Sequence, residues 1–440
     1  MDGDLENQLP ATTASRVSLF GSRLRLGETG KQTGMLFSAH TGSMFAGLLV
    51  SLIQGRWMEP SEMGRFTFCL SIIVIGGLFF EVGIFSAGSR LLALARDEDE
   101  ERQTLGALTL MAGAISLAFA AFVAVAAVPI DLIFGKNVRW LLLAVAAFAL
   151  FQPFQWLVEQ SCQGLNRIRR LSLFQLVMSW SYLLLLVTLA LVHRLTAATA
   201  LVAYLTGVGV SAAWTISRLR PSFHHPARRI ELILKEVRGY GLNIYLARIT
   251  GMVSARFDHL IIAYFMTGLA PLGLYAIGQK LAGPITTVAR TLAITRFRAF
   301  SALDRVPGRI TRWNAIALIT LATGLAVVGP LALKIAFPKY AGAAPLLLPF
   351  ALTGLFTGLF QPYNMFLASH GRGAELRNIA IATTVTSLAG LLVTVPRYGV
   401  IGAAWAVAGA MALDYALYLY YYLRFRRELD GKPEAGLNRA

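Results

Sequence analysis

Arg220-Pro-Ser-Phe-His-His-Pro-Ala-Arg-Arg-Ile-Glu-Leu-Ile-Leu-Lys-Glu-Val237 divides this chain near its middle, and the fold is read outward from it in both directions. On each side the apolar residues come in blocks of around twenty, the length that crosses a bilayer core. Upstream, spans 1 to 6 fall at 34–57, 65–94, 105–130, 139–163, 171–193 and 197–219. Downstream, spans 7 to 12 fall at 238–267, 273–297, 310–337, 342–370, 375–395 and 399–424.

Composition agrees with this pattern. The 440 residues are 56% hydrophobic and 14% charged, whereas soluble chains carry about 25% charged residues. The net charge of +17 would suggest nucleic acid in a soluble protein. Here the basic residues sit between apolar blocks and read first as topology signals. With the N-terminus inside, 28 Lys or Arg fall on the cytoplasmic side and 8 outside. Inverting the protein would violate the positive-inside rule almost everywhere.

The expectation is an all-α polytopic protein of the bacterial inner membrane, with twelve transmembrane helices in two six-helix lobes. Residues 1–33 form a cytoplasmic N-terminal segment, 34–219 the N-lobe, 220–237 a cytoplasmic linker, 238–425 the C-lobe and 426–440 a cytoplasmic tail. The first 33 residues hold no apolar run of the kind that makes a cleavable signal, so span 1 does the targeting.

Two junctions suggest that the halves are repeats. Gly64-Arg-Phe66 opens span 2 and Gly273-Leu-Tyr275 opens span 8, an offset of 209 residues. Gln163-Gly-Leu-Asn-Arg167 follows span 4 and His370-Gly-Arg372 follows span 10, an offset of 207 between the glycines. Six-helix repeats share one orientation and are related by an axis along the membrane normal.

Ionisable residues within the spans carry the functional reading, because each costs about 2.5–3.5 kcal/mol at a bilayer centre. Span 7 holds Arg248, Arg256 and Asp258, and span 8 holds Lys280 and Arg290. Glu81, Glu159 and Asp414 lie in spans 2, 4 and 12. Arg256 is eleven residues and Lys280 seven from the outer ends of their spans, roughly 10–17 Å deep at 1.5 Å per residue. Arg248 and Arg290 lie a similar way in from the cytoplasmic side. Facing lipid, this set would cost on the order of 10 kcal/mol. Lining a wet cavity, it becomes an anion site. The plainer alternatives are that Lys280 and Arg290 snorkel, or that Arg256 pairs with a carboxylate. Arg256 and Asp258 are about 200° apart on one helix, which argues against their pairing. Glu81 and Asp258 are the candidate ion-coupling carboxylates; the plainer role for such a residue is to tie helices together.

Other signals carry nothing. Gly27-Glu-Thr-Gly-Lys31 lacks the first glycine, the Ser/Thr and the preceding strand of a P-loop. Cys69 and Cys162, both in apolar surroundings, allow neither a disulfide framework nor a metal site. The histidines are scattered, and Asp97-Glu-Asp-Glu-Glu101 reads as a solvated cytoplasmic loop. No outer loop exceeds about ten residues, which leaves no room for the domain expected of a polymerase, ligase or glycosyltransferase.

The chain resembles polysaccharide exporters and O-antigen flippases of the multidrug/oligosaccharidyl-lipid/polysaccharide (MOP) superfamily. The residues that carry the resemblance run from about 34 to 425. They are Arg56-Trp-Met-Glu-Pro-Ser-Glu-Met-Gly64, Glu81-Val-Gly83 with Arg90, Gln163 to Arg167, Arg256-Phe-Asp258 through Tyr275, and Tyr398-Gly-Val-Ile-Gly402-Ala-Ala404. Two departures stand out. The family usually has Asp where this chain has Glu81, and often a proline where it reads Arg296-Phe-Arg298.

The resemblance implies a V-shaped, alternating-access transporter, not an enzyme. It would move undecaprenyl-diphosphate-linked oligosaccharide repeat units to the periplasmic leaflet for O-antigen, exopolysaccharide or capsule synthesis. Diphosphate and sugars would sit in a cationic cavity, for which the candidate residues are Arg256, Lys280, Arg248, Arg290, Arg56 and Arg90. No cofactor is implied, Na+ or H+ is the candidate coupling ion, and a monomer is expected. Partners would be membrane lipids and polysaccharide assembly proteins such as a polymerase, with no nucleic acid. The alternatives are a multidrug or small-molecule antiporter on the same fold, or a non-transport subunit of an assembly complex. Organic-cation antiporters call for acidic cavities, against the charge read here.

Overall fold

The computed structural model describes residues 28–224, 226–294 and 305–430, with side chains in these ranges except for 28–41, 243–244, 246–255, 288–294, 310 and 429–430. The expectations for 1–27, Arg296, Arg298 and 431–440, and for the side chains of Arg248 and Arg290, lie outside the described residues.

The described chain is helical from end to end. The first half holds α1 (Glu28–Trp57), α2 (Pro60–Glu81), α3 (Ile84–Ala93), α4 (Glu98–Phe134), α5 (Arg139–Ala149), α6 (Gln152–Gly164), α7 (Ile168–Leu191) and α8 (Ala197–Leu219). Next comes α9 (Pro226–Glu236), and a π turn leads into α10 (Leu242–Phe265), followed by α11 (Ala270–Ile294). The remainder is α12 (Gly308–Val327), α13 (Gly329–Ala336), α14 (Ala344–Ser369) and α15 (Gly373–Asp430).

Each expected span falls on helix, and the differences lie in where helices break. Span 2 is split between α2 and α3, because Val82 and Gly83 both take positive φ (45° and 76°). Span 4 bends by 40° between α5 and α6, and span 9 by 51° between α12 and α13. Spans 11 and 12 are two helices that meet at Gly399, whose backbone (φ 61°, ψ −144°) is non-helical; they are taken together as α15. Among the described residues, six helices are each long and apolar enough to cross a membrane, and the two bent pairs bring the number to eight. Those six include α15, which holds two spans. Helices α10 and α11 fall short of that measure, and they carry Arg256, Asp258 and Lys280. The protein is therefore an all-α multi-pass membrane protein, consistent with twelve spans in two halves.

The sequence repeat at offset 209 appears as a contact. A Cβ on Gly64 would lie 1.7 Å from the Leu269 carbonyl oxygen, and one on Gly273 1.9 Å from the Pro60 carbonyl oxygen. Pro60 and Leu269, like Gly64 and Gly273, are themselves 209 residues apart, so the two halves meet through equivalent residues. Small residues let membrane helices approach this closely where lipid gives no hydrophobic drive between them.

The second junction repeats with a corrected register. Arg167 N donates to Cys162 O at 2.8 Å and Asn166 N to Gln163 O at 3.0 Å. Arg372 N donates to Leu367 O at 3.0 Å and Gly371 N to Ala368 O at 3.2 Å. Both turns are the same helix-ending motif, with Asn166 (φ 51°) and Gly371 (φ 71°) in the left-handed position. The structural offset is thus 205, not the 207 obtained by aligning glycines.

The acidic run 97–101 is the start of α4, not a solvated loop. Asp97 caps the helix by accepting from Glu100 N at 2.7 Å, and carboxylates in a first turn suit the helix dipole. Glu101 accepts from Arg167 at 2.6 Å and Glu100 from Arg229 of α9 at 2.8 Å. The linker is therefore a docked helix, with Ile233 fully buried in the apolar cluster of α3, α4 and α6. Ser222 N also donates to Arg102 O at 2.8 Å.

Candidate functional site

A cavity of about 620 Å³ lies between the halves, within the range of ligand-sized sites. The first half lines it with Val50, Ser51 and Gln54 of α1, Phe66, Thr67 and Leu70 of α2, Met178, Ser179 and Tyr182 of α7, and Tyr204 of α8. The second half contributes Arg256 and His259 of α10 and Ala276, Gln279 and Lys280 of α11. Arg256 and Lys280 thus share one cavity, and among the described residues its lining contains no Asp or Glu.

Two hydrogen-bond chains cross between the halves. Lys280 Nζ donates to Gln54 Oε1, and Gln54 Nε2 donates to the Tyr182 hydroxyl at 2.9 Å. Tyr182 in turn meets the Tyr204 ring edge-on at 5.5 Å. In the second chain, His259 connects Ser71 of α2 (2.8 Å) to Gln279 of α11 (3.1 Å). Lys280 also lies 5.5 Å over the Phe66 ring. No described carboxylate comes within ion-pair distance of Arg256 or Lys280. Among the described residues neither cation has a carboxylate partner, which suits an anion that brings its own oxygens.

The remaining sequence candidates sit elsewhere. Asp258 is buried behind the cavity wall, where it accepts from the Tyr275 hydroxyl at 2.9 Å and from the His259 amide at 2.8 Å. It does not pair with Arg256. Glu81 is fully buried at the C-terminal end of α2, beside the break, and is not part of the cavity lining. Arg56 is exposed at the end of α1 and also lies outside the lining. Arg90 ion-pairs with Glu236 and stacks 4.9 Å over Tyr240. Arg90 and Arg56 are therefore separated from the cavity: depth along a span says nothing of where a side chain points. Near Arg90, a Cβ on Gly83 would lie 2.4 Å from Gly241 O, so this end of the span 2 helices also packs against the second half.

Sequence reasoning missed Gln54, Tyr182, His259 and Gln279. Uncharged polar groups inside spans are costly unless paired, so these residues carry a weaker form of the signal that marks Asp, Glu, Lys and Arg.

The profile of a family described as polysaccharide biosynthesis protein matches residues 29–303. The chain belongs to the polysaccharide biosynthesis protein family. Solved structures give the fold of this family member. It is similar to a multidrug resistance MATE family transporter of the MOP superfamily in an inward-facing conformation (TM-score 0.70, 13% identity, 91% of this chain and 100% of that one). It is similar to the lipid II flippase MurJ in an inward closed conformation (TM-score 0.66, 10% identity, 92% and 93%). A MOP superfamily transporter from Pyrococcus furiosus, described by the reverse polarity of its binding pocket, aligns with TM-score 0.58 at 14% identity over 92% and 96%. No curated protein sequence matches. This polysaccharide biosynthesis family member thus has the fold of MOP superfamily transporters.

Proposed function

We propose that the protein is a flippase that moves undecaprenyl-diphosphate-linked oligosaccharide repeat units from the cytoplasmic to the periplasmic leaflet of a bacterial inner membrane. Surface polysaccharide synthesis (O-antigen, exopolysaccharide or capsule) would use its product. The single observation that carries this reading is the cavity between the halves, lined by Arg256 and Lys280 and, among the described residues, by no carboxylate. A diphosphate needs cations, and a guanidinium can hold one bidentately. Gln54, Ser179, Tyr182 and Tyr204 give the cavity polar and aromatic surface suited to sugars. The family and the MurJ-like fold support a lipid-linked substrate. The excess of basic residues on one side supports cytoplasmic termini.

The MATE-like fold raises the alternative of a multidrug antiporter, and the cavity charge disfavours it for organic cations. Replacing Arg256 and Lys280 by Ala tests the proposal. Loss of surface polysaccharide at normal protein level, with lipid-linked repeat units accumulating on the cytoplasmic leaflet, is the expected result. Unchanged polysaccharide would overturn the site assignment. Deletion without accumulation of repeat units would point to a non-transport assembly subunit.

A further inference from the structure

One crevice differs sharply between the two halves. In the first half it lies between α4, α6 and α8, where Leu157, Val158 and Leu219 leave about 10 Å³. The chain after α8 also crosses that end, since a Cβ on Gly106 of α4 would lie 1.9 Å from Ser222 O. In the second half the corresponding crevice lies between α12, α14 and α15 and holds about 300 Å³. At the offset of 205, Pro362 and Tyr363 stand where Leu157 and Val158 stand in the first half. Helix α15, the counterpart of α8, does not turn back at this level but continues to Asp430.

The larger crevice has donors at its mouth and acceptors further in. Arg312 lines it and is exposed, and no carboxylate lies within ion-pair distance among the described residues. Gly308, also exposed in the lining, opens α12, and the first amides of a helix have no intrahelical acceptor. Guanidinium and helix start together call for an anion. Trp313, exposed beside Arg312, places this mouth at the level of the bilayer interface, where aromatic side chains gather. Thr311 Oγ1 donates to Gly308 O at 3.0 Å, so toward a ligand it can only accept. Asn314, 6% exposed, donates from Nδ2 to Gly358 O at 3.1 Å, and its Oδ1 is buried without a partner among the described residues. At 1.5 Å per residue Asn314 lies about 9 Å beyond Gly308 along α12. These two acceptors call for hydroxyl donors. Tyr363 and Tyr415 add phenol groups and ring faces, with centroids 6.4 Å apart.

We propose that this crevice binds a phosphate ester that carries hydroxyl groups. The phosphate sits on Arg312 and the start of α12, and the hydroxyls sit on Thr311, Asn314 and the two tyrosines. The volume is at the lower end of ligand sites, which begin at about 300 Å³, and suits one sugar-sized group. Two sources share this chemistry: the headgroup of an anionic phospholipid, phosphatidylglycerol, and a soluble sugar phosphate. The crevice shares no lining residue with the cavity between the halves, so it stands apart from the substrate reading above.

The test uses the full chain with Arg256→Ala and Lys280→Ala, which takes the cavity between the halves out of the signal. In phosphatidylcholine nanodiscs it is titrated with glucose 1-phosphate and with inorganic phosphate. In nanodiscs that also contain phosphatidylglycerol, the lipid retained by the protein is counted by native mass spectrometry. Glucose 1-phosphate should bind about tenfold more tightly than inorganic phosphate, or phosphatidylglycerol about tenfold more tightly than phosphatidylcholine, as added hydrogen bonds of about 1 kcal/mol each allow. Whichever ester binds names the source. Arg312→Gln, at an exposed position, should weaken that binding about tenfold or more, the loss of one bond to a charged group. Thr311→Val keeps the shape and should weaken the ester severalfold while leaving inorganic phosphate unchanged. Inorganic phosphate that binds as tightly as glucose 1-phosphate, with no selective retention of phosphatidylglycerol, would mean an anion contact only and overturn the proposal. Binding of neither ester, or binding that Arg312→Gln leaves intact, overturns it too. Because the central cations are absent throughout, this site and the substrate assignment fail separately.

Discussion

Gly64 and Gly273 lie across from each other at the junction of the halves, each where the other's half presents a backbone carbonyl. Their would-be Cβ atoms fall 1.7 Å from Leu269 O and 1.9 Å from Pro60 O. No side-chain rotation relieves such an overlap, because the obstacle is backbone. Gly64→Ala or Gly273→Ala should cost the closed arrangement about 1–3 kcal/mol, the usual penalty of overpacking. That corresponds to roughly a 5- to 150-fold shift toward separated halves. Distances between spin labels on Arg65→Cys and Thr267→Cys, both exposed at the outer ends of α2 and α10, check it: both alanine variants should show the longer distance at normal expression. Unaltered distances would mean that the helices slide past one another without using this contact.

The bridge from Lys280 through Gln54 to Tyr182 predicts an ordered series. Gln54 is fully buried and its amide oxygen accepts from the Lys280 ammonium. Gln54→Leu removes a hydrogen bond to a charged group, worth about 1.5–3 kcal/mol. Tyr182→Phe removes only a neutral bond at the far end, worth about 1 kcal/mol. Polysaccharide export should therefore fall further in Gln54→Leu than in Tyr182→Phe. Combined with Lys280→Met, the Gln54 change should be non-additive by about 0.5–3 kcal/mol in a double-mutant cycle on thermal stability. Additivity would dismiss the bridge.

The fold was legible because membrane spans are written in block length and loop charge, both of which survive without knowing any contact. The break at 82–83 was not legible, since the span at 65–94 continues on both sides of it and a positive φ at a valine leaves no mark in the sequence. Arg256 and Lys280 stand out in the sequence because intramembrane charge is costly enough to mark itself, and both line the cavity. Arg56 and Arg90 went astray for the converse reason: near a helix end a cation costs little, so its position predicts little. The partners of Glu100 and Glu101 lie 129 and 66 residues away, and no local pattern could assign them. The linker helix, by contrast, left a readable stripe in Ile230, Ile233 and Val237, at the spacing of one helical face.

Glu100 gives a pH prediction outside the membrane. The Arg96 backbone amide and the Arg229 guanidinium both donate to its carboxylate and hold it below the ordinary glutamate range. A depressed folded-state value contributes stability that is present above the unfolded value, about 4.3, and is lost as the pH falls through the folded one. The pair is partly exposed, so its contribution is small, below about 1 kcal/mol. Melting temperature of the purified protein should drop below about pH 4.3, and less so in Glu100→Gln, which should instead be slightly less stable than the parent at neutral pH. An equal acid response in both would place the α9 docking energy in Ile233 and its apolar neighbours alone.

Asp414 separates tying helices together from carrying an ion. Thr383 Oγ1 donates to Asp414 Oδ1 at 2.6 Å, with both residues 7% exposed. Thr383 lies in span 11 and Asp414 in span 12, so the bond closes the hairpin bent at Gly399. Asn at position 414 still offers an acceptor oxygen to Thr383, so Asp414→Asn should keep both the melting temperature and polysaccharide export. Asp414→Ala leaves the Thr383 hydroxyl buried without its partner and should cost about 1–3 kcal/mol. Thr383→Val should cost a similar amount, and the double variant little more than either alone. Melting curves in detergent with export assays in cells read both quantities. Asp414→Asn that melts normally but no longer exports would move this carboxylate from structure to transport, since only the charge would have been lost.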